Sequence, residues 1–168
     1  MLFSADEIER AIDRLAVRVA IDLADDFPLV VCVMSGGLPF TADLIRRLPF
    51  ALELDYVHAT RYRGTQGGEI DFRALPRAST MDRNVLLVDD VLDEGYTLQA
   101  IREKLESDAA TVRIAVLVDK PNARRVPITP DYAALEAGTD YLVGRGMDHE
   151  GLYRTLPSIH RYEPCEER

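Results

Sequence analysis

Cysteine is scarce. The 168-residue chain has only Cys32 and Cys165, far apart. They cannot build a disulfide framework or a paired-cysteine metal site, and the expected compartment is the reducing cytoplasm. Cys32 lies in an apolar run and reads as core; Cys165 lies in a polar tail. His58, His149 and His160 have no metal-ligand spacing. Only two lysines occur, Lys104 and Lys120. No apolar run reaches membrane-spanning length, and Asp6, Glu7 and Glu9 do not suit a secretory signal. Internal repeats and low-complexity tracts are missing. Positive charge is in deficit: 20 Lys and Arg against 29 Asp and Glu give a net charge of −9. That excess argues against broad binding of nucleic acid or anionic membranes. It leaves room for a small anionic substrate held in a local cradle. What is present is an ordinary globular composition, 47% hydrophobic and 29% charged. The length suits one domain over residues 1–168 with a sizeable core.

Ser4 and Glu7 form a capping box. Ile8, Ile12, Leu15, Val19 and Leu23 then recur at helical spacing, which predicts a helix over 5–24. Leu29 to Met34 is a continuous apolar run, the pattern of a buried strand. Ser35-Gly36-Gly37 breaks it, Thr41 to Leu48 reads as helix and Leu52 to Ala59 as strand. Residues 61–80, with Arg63-Gly64-Thr65-Gln66-Gly67-Gly68, read as a mobile loop or a loosely paired hairpin. Val85–Val88 is a strand, and Leu98, Ile101 and Leu105 mark a helix over 96–107. Val112 to Val118 is a further strand. A loop with Arg124 and Arg125 follows, and Tyr132–Leu135 and Tyr141–Val143 are short strand candidates. Leu152 and Tyr153 suggest a helical turn in the polar end. Strands alternating with helices predict an α/β fold with a mostly parallel twisted sheet flanked by helices.

Chemistry concentrates in Val85-Leu86-Leu87-Val88-Asp89-Asp90-Val91-Leu92-Asp93-Glu94-Gly95-Tyr96-Thr97-Leu98. A buried strand runs into two adjacent carboxylates, then a third, a glycine, a threonine and a helix start. Ligands of parallel sheets bind beyond the carboxyl ends of strands. The free N–H groups at a helix start suit phosphate. Acids for hydroxyls or a metal thus stand beside a backbone cradle, the combination a sugar phosphate needs.

This stretch resembles the phosphoribosyl-pyrophosphate motif of the type I phosphoribosyltransferases, and the chain over roughly 10–160 is most similar to the bacterial hypoxanthine-guanine members. The resemblance implies that family's fold, with a small hood from chain-terminal segments. It implies purine salvage: transfer of 5-phosphoribosyl from phosphoribosyl pyrophosphate to N9 of a 6-oxopurine, with release of pyrophosphate and with Mg²⁺ as cofactor. Asp89 and Asp90 would hold the ribose hydroxyls, directly or through Mg²⁺, with Asp148 near a second ion. Asp93 would exchange a proton with N7 of the base. Glu94, Gly95, Tyr96, Thr97 and Leu98 would cradle the 5′-phosphate. Ser35 and Gly36 would bind pyrophosphate through their backbone, on a loop that in this family often carries a cis peptide. Arg124, with Arg125 as fallback, and Arg154 would reach pyrophosphate. Lys120 would donate to O6, Tyr141 would stack on the purine, and Leu142 would offer backbone groups to its edge. Tyr62 would belong to a closing lid. A homodimer or homotetramer is implied.

Three positions depart from the family pattern. Glu94 stands where Thr or Ser is usual, Ser35 where purine members often carry Lys or Arg, and Arg61 where the lid has Ser. A carboxylate facing phosphate would repel it, so the Glu94 side chain is expected to point away and only its N–H to take part. Three alternatives stay open: an RNA-binding regulator of the pyrimidine-operon type with the same fold, a xanthine-preferring enzyme, and a non-catalytic phosphate-binding module.

Overall fold

The computed structural model describes residues 1–61 and 70–163. Tyr62, the glycine-rich stretch 63–68 and Cys165, each with a sequence-based expectation, lie outside them. The Ser4 capping box forms, with both Ser4 and Glu7 accepting the other's backbone N–H, and starts α1 at Ala5–Leu23. β1 (Leu29–Val33) is buried at every residue. α2 spans Leu38–Ile45, earlier than the apolar pattern indicated, because Pro39 fits the first turn of a helix. β2 (Glu53–Arg61) and β3 (Ile70–Ala74) pair antiparallel, with a shift of register at His58/Ala59. The strands that flank residues 62–69 therefore pair with each other. β4 (Asn84–Leu92) runs past the apolar stretch and includes both acids. α3 (Tyr96–Glu106), β5 (Thr111–Asp119), a single 3₁₀ turn at Pro121–Ala123 and β6 (Tyr132–Glu136) complete the main body.

The main sheet has the order β3-β2-β1-β4-β5-β6, and every pairing except β2–β3 is parallel. Side chains alternate across it. Val30, Leu86, Val88, Ala115 and Leu117 face α1 and α2, while Val31, Leu87, Ile114 and Val116 face α3. A sheet covered on both faces needs continuous apolar strands, which explains the unbroken runs in the sequence.

A small second sheet pairs β7 (Leu142–Val143) with β8 (His160–Arg161). The chain start joins this region through Phe3 and Ile159, so both terminal segments form the hood. Leu152 and Tyr153 are not helical: Leu152 bridges His149, and Tyr153 has φ +72°. Backbone pairing across that tight turn takes the place of helical bonding. No helix among the described residues is long and apolar enough to cross a membrane.

From β1 the chain moves outward to β2 and β3, then returns to place β4 on β1's other side. The loops leaving β1 and β4 therefore part in opposite directions, and a crevice opens between them at the carboxyl ends.

Candidate active site

A cavity of about 940 Å³ occupies that crevice, within the usual range for small-molecule sites. β4 delivers Asp89 and Asp90, only 9% and 8% exposed. Asp89 accepts the N–H of Asp90 and Asp90 accepts that of Val91, each at 2.8 Å. Neither forms an ion pair among the described residues. Burial pushes both carboxyls above their ordinary range, Asp89 furthest, because the neighbouring Asp90 charge adds to its desolvation. For Asp90, the bond with Asp89, the Val91 N–H and the Arg154 charge partly offset burial. Two buried acids in such surroundings call for hydroxyl donors or a cation.

The loop after β1 meets these acids. Its Met34–Ser35 peptide is cis, Ser35 is exposed at the cavity, and Gly36 lies against Asp90. A Cβ on Gly36 would stand 2.2 Å from Asp90 Oδ2, so only glycine admits the carboxylate here.

Beyond β4, Gly95 turns the chain with φ +96°, a conformation that suits glycine. It caps α3 without a side-chain hydrogen bond, and no acid occupies the first turn. The first N–H groups of a helix have no partner within it, so those of Tyr96, Thr97 and Leu98 remain available for an anion. Tyr96, Thr97 and Leu98 all line the cavity, and the Leu98 side chain also packs into the core.

Asp93 and Lys120 come together across 27 residues of sequence: Lys120 Nζ lies 2.9 Å from Asp93 Oδ2. Lys120 is 3% exposed and Asp93 far more open. The end of β5 sets this contact, and the Lys120 N–H donates to the Leu92 carbonyl at 3.1 Å.

The hood supplies the opposite wall. The Tyr141 hydroxyl donates to the Asp148 carbonyl at 2.8 Å, and its ring meets His149 edge-on, with centroids 5.7 Å apart. Tyr141 and the buried Leu142 both line the cavity. Arg154 also lines it, and its Nη2 lies 2.7 Å from Asp148 Oδ1.

Two expectations change, those for Arg124 and Glu94. Arg124 does not line the cavity: its guanidinium binds the carbonyls of Leu92 and Asp93 at 2.7 and 2.6 Å and the Asp119 carboxylate. The 3₁₀ turn tucks it beneath the β4–α3 turn, and Arg125 is the loop arginine on the cavity. Asp148, also on the cavity, pairs with Arg154 and accepts the Gly151 N–H, at 2.7 Å each. No group of three metal-ligating side chains occurs among the described residues. The Glu94 carboxylate does not simply turn away: it pairs with Arg61 on the cavity lining.

Sequence reasoning did not single out Asn122, Thr139 and Met147, which also line the cavity. No local pattern marks them; only their order after Lys120 and around Tyr141 hints at them.

Comparison with known proteins agrees with this arrangement. A family model for the phosphoribosyl transferase domain matches residues 1–148. The hypoxanthine-guanine phosphoribosyltransferase of Streptococcus pneumoniae is 35% identical over 162 residues, covering 95% of this chain and 90% of that protein. The Bacillus subtilis protein of the same name is 32% identical over 168 residues, covering 98% and 93%. A solved hypoxanthine phosphoribosyltransferase from Staphylococcus aureus superposes with a TM-score of 0.93 at 29% identity, covering 98% of this chain and 91% of that one. A strand-end acid pair beside an uncapped helix start, matched along almost the whole length, leaves one conclusion: the chain belongs to the phosphoribosyltransferase family.

Proposed function

We propose that this enzyme transfers the 5-phosphoribosyl group of phosphoribosyl pyrophosphate to N9 of a 6-oxopurine, hypoxanthine or guanine, as a step of purine salvage. The names of its relatives support this reading. The observation that carries it is the Lys120–Asp93 pair, held at 2.9 Å in the same cavity as Asp89 and Asp90. A buried ammonium donates well to a carbonyl such as O6, and a carboxylate beside it exchanges a proton with a ring nitrogen.

In the reaction, N9 forms a bond to the ribose C1 while the bond from C1 to the pyrophosphate oxygen breaks. The base gives up a proton, which Asp93 exchanges as general base. Asp89 and Asp90 grip the ribose hydroxyls, and their charge favours the cationic sugar carbon. The N–H groups of Glu94 to Leu98 hold the 5′-phosphate. The backbone of Ser35 and Gly36, with Arg154, receives pyrophosphate. Tyr141 stacks on the base, and Leu142 faces its edge. The acid pair also suits Mg²⁺, which takes oxygen ligands, keeps several waters and shares its shell with substrate oxygens. Asp89 and Asp90 would hold it, and when bound it supplies positive charge against the departing pyrophosphate.

The test is a base panel of hypoxanthine, guanine, xanthine and adenine with phosphoribosyl pyrophosphate, followed by nucleotide detection. Hypoxanthine and guanine are expected to yield inosine and guanosine monophosphate, and adenine no product. Absence of product with both 6-oxopurines overturns the reading; a preference for xanthine redirects it.

A further inference from the structure

Two of the positions where this chain departs from its family pattern meet in space. Arg61 ends β2 and Glu94 opens the turn before α3, 33 residues later, and their side chains form an ion pair. The Arg61 guanidinium also lies over the Tyr96 ring, 4.0 Å from its centroid. Both partners line the cavity, with Arg61 30% and Glu94 48% exposed, so solvent and substrate reach them. Tyr96 is the first residue of α3, whose first turn has no side-chain cap and lines the same cavity. A cation therefore stands at the phosphate cradle, paired with a carboxylate and stacked over a ring.

A pairing for stability alone explains this poorly. An exposed ion pair contributes little to folding. The location explains it better. Glu94 sets a negative charge at the mouth of an anion site, and Arg61 neutralises it. Guanidinium matches phosphate geometry through two parallel hydrogen bonds and is always charged. A phosphate dianion carries more charge than a carboxylate, and the helix N-terminus favours that charge further.

We propose that Arg61 is a substrate-binding residue for the 5′-phosphate, and that Glu94 competes with the substrate for it. On binding, the guanidinium exchanges the Glu94 carboxylate for phosphate oxygens while remaining against Tyr96. No covalent step is involved. This inference rests on the proposed reaction for the identity of the phosphate, but its test does not need turnover.

The experiment is calorimetric titration of the intact protein, wild type and variants, with inosine monophosphate, with ribose 5-phosphate and, separately, with pyrophosphate. Arg61→Ala is expected to weaken both 5′-phosphate ligands about tenfold to a hundredfold, the usual size for a lost charge-assisted hydrogen bond. Pyrophosphate binding stays within about twofold. Arg61→Lys recovers part of the loss. Glu94→Gln acts in the opposite direction and tightens both ligands several-fold, because the competitor is gone. A pair that merely positions the turn would make both substitutions weaken binding alike. Equal losses in Arg61→Ala and Glu94→Gln, an unchanged affinity in either, or a loss confined to pyrophosphate each overturns the proposal. Failure of the base panel with normal 5′-phosphate binding would count against the reaction and leave Arg61's role standing.

Discussion

The segments at the carboxyl ends of β4 and β1 furnish the cavity by different means. The end of β4 and the turn after it present side chains: Asp89, Asp90 and Asp93 line the cavity within five residues of sequence. The β1–α2 loop offers the cavity backbone and is notable for what it omits. Ser35 has no charge, and Gly36 matters because it has no Cβ to strike Asp90. The first loop is a continuous sequence signal, and the second is a generic strand-then-glycine turn. Positive charge on the second side comes from elsewhere, from Arg154 in the hood. A short motif can therefore encode one half of a site, while the other half is assembled from segments more than 100 residues apart.

That contrast can be broken by substitution, and the largest effect belongs to the side-chain loop. Asp93→Asn should lower turnover by about 10²–10⁴-fold while binding of phosphoribosyl pyrophosphate persists; steady-state kinetics paired with a binding titration measures both. Unchanged turnover would remove Asp93 from the chemistry. Gly36→Ala comes next. The added Cβ must displace the Asp90 carboxylate, and a misplacement of about 1 Å costs on the order of 10²-fold in rate. The loss should appear with both substrates saturating and with a melting temperature close to wild type. If the variant is fully active, the backbone loop is more pliable than its packing implies.

The smallest effect is on stability and runs opposite to activity. Asp89 and Asp90 bind protons more tightly folded than unfolded. Their contribution is therefore greatest at low pH and is lost as pH rises from the ordinary carboxylate value through the raised folded values. Asp89→Asn removes one of the crowded charges. In the absence of substrate at neutral pH it should gain about 1–3 kcal/mol, several degrees in melting temperature for a domain of this size. The gain should shrink on acidification, and activity should fall. A variant less stable than wild type at neutral pH would show that the acid pair is better compensated than its burial suggests.

Much of this was legible along the chain. The Ser4–Glu7 box and the Ile8 to Leu23 periodicity announce α1 because capping and amphipathicity are local. The run Leu29–Met34 and the acids after Val88 announce β1 and the site because a strand buried on both faces tolerates nothing polar until it emerges. Residues 61–80 allowed two readings, since the register of a hairpin depends on its partner strand. The choice between Arg124 and Arg125 was beyond local reasoning. Adjacent residues point in different directions, and only the 3₁₀ turn decides that one pins the Asp93 carbonyl while the other faces the cavity. The bond of Asp148 to Arg154 was not legible either, because it depends on the fold of the hood.

The amino-acid order alone determined the layered sheet, the acid-rich turn at its carboxyl edge and the phosphate-type helix start, because each follows from neighbours a few residues apart. Only the tertiary structure decided that Lys120 meets Asp93, that Gly36 shelters Asp90 and that Arg61 answers Glu94. Those contacts exist because the chain returns to lay β4 against β1, and no periodicity along a strand or helix carries information about which distant side chains that return brings together.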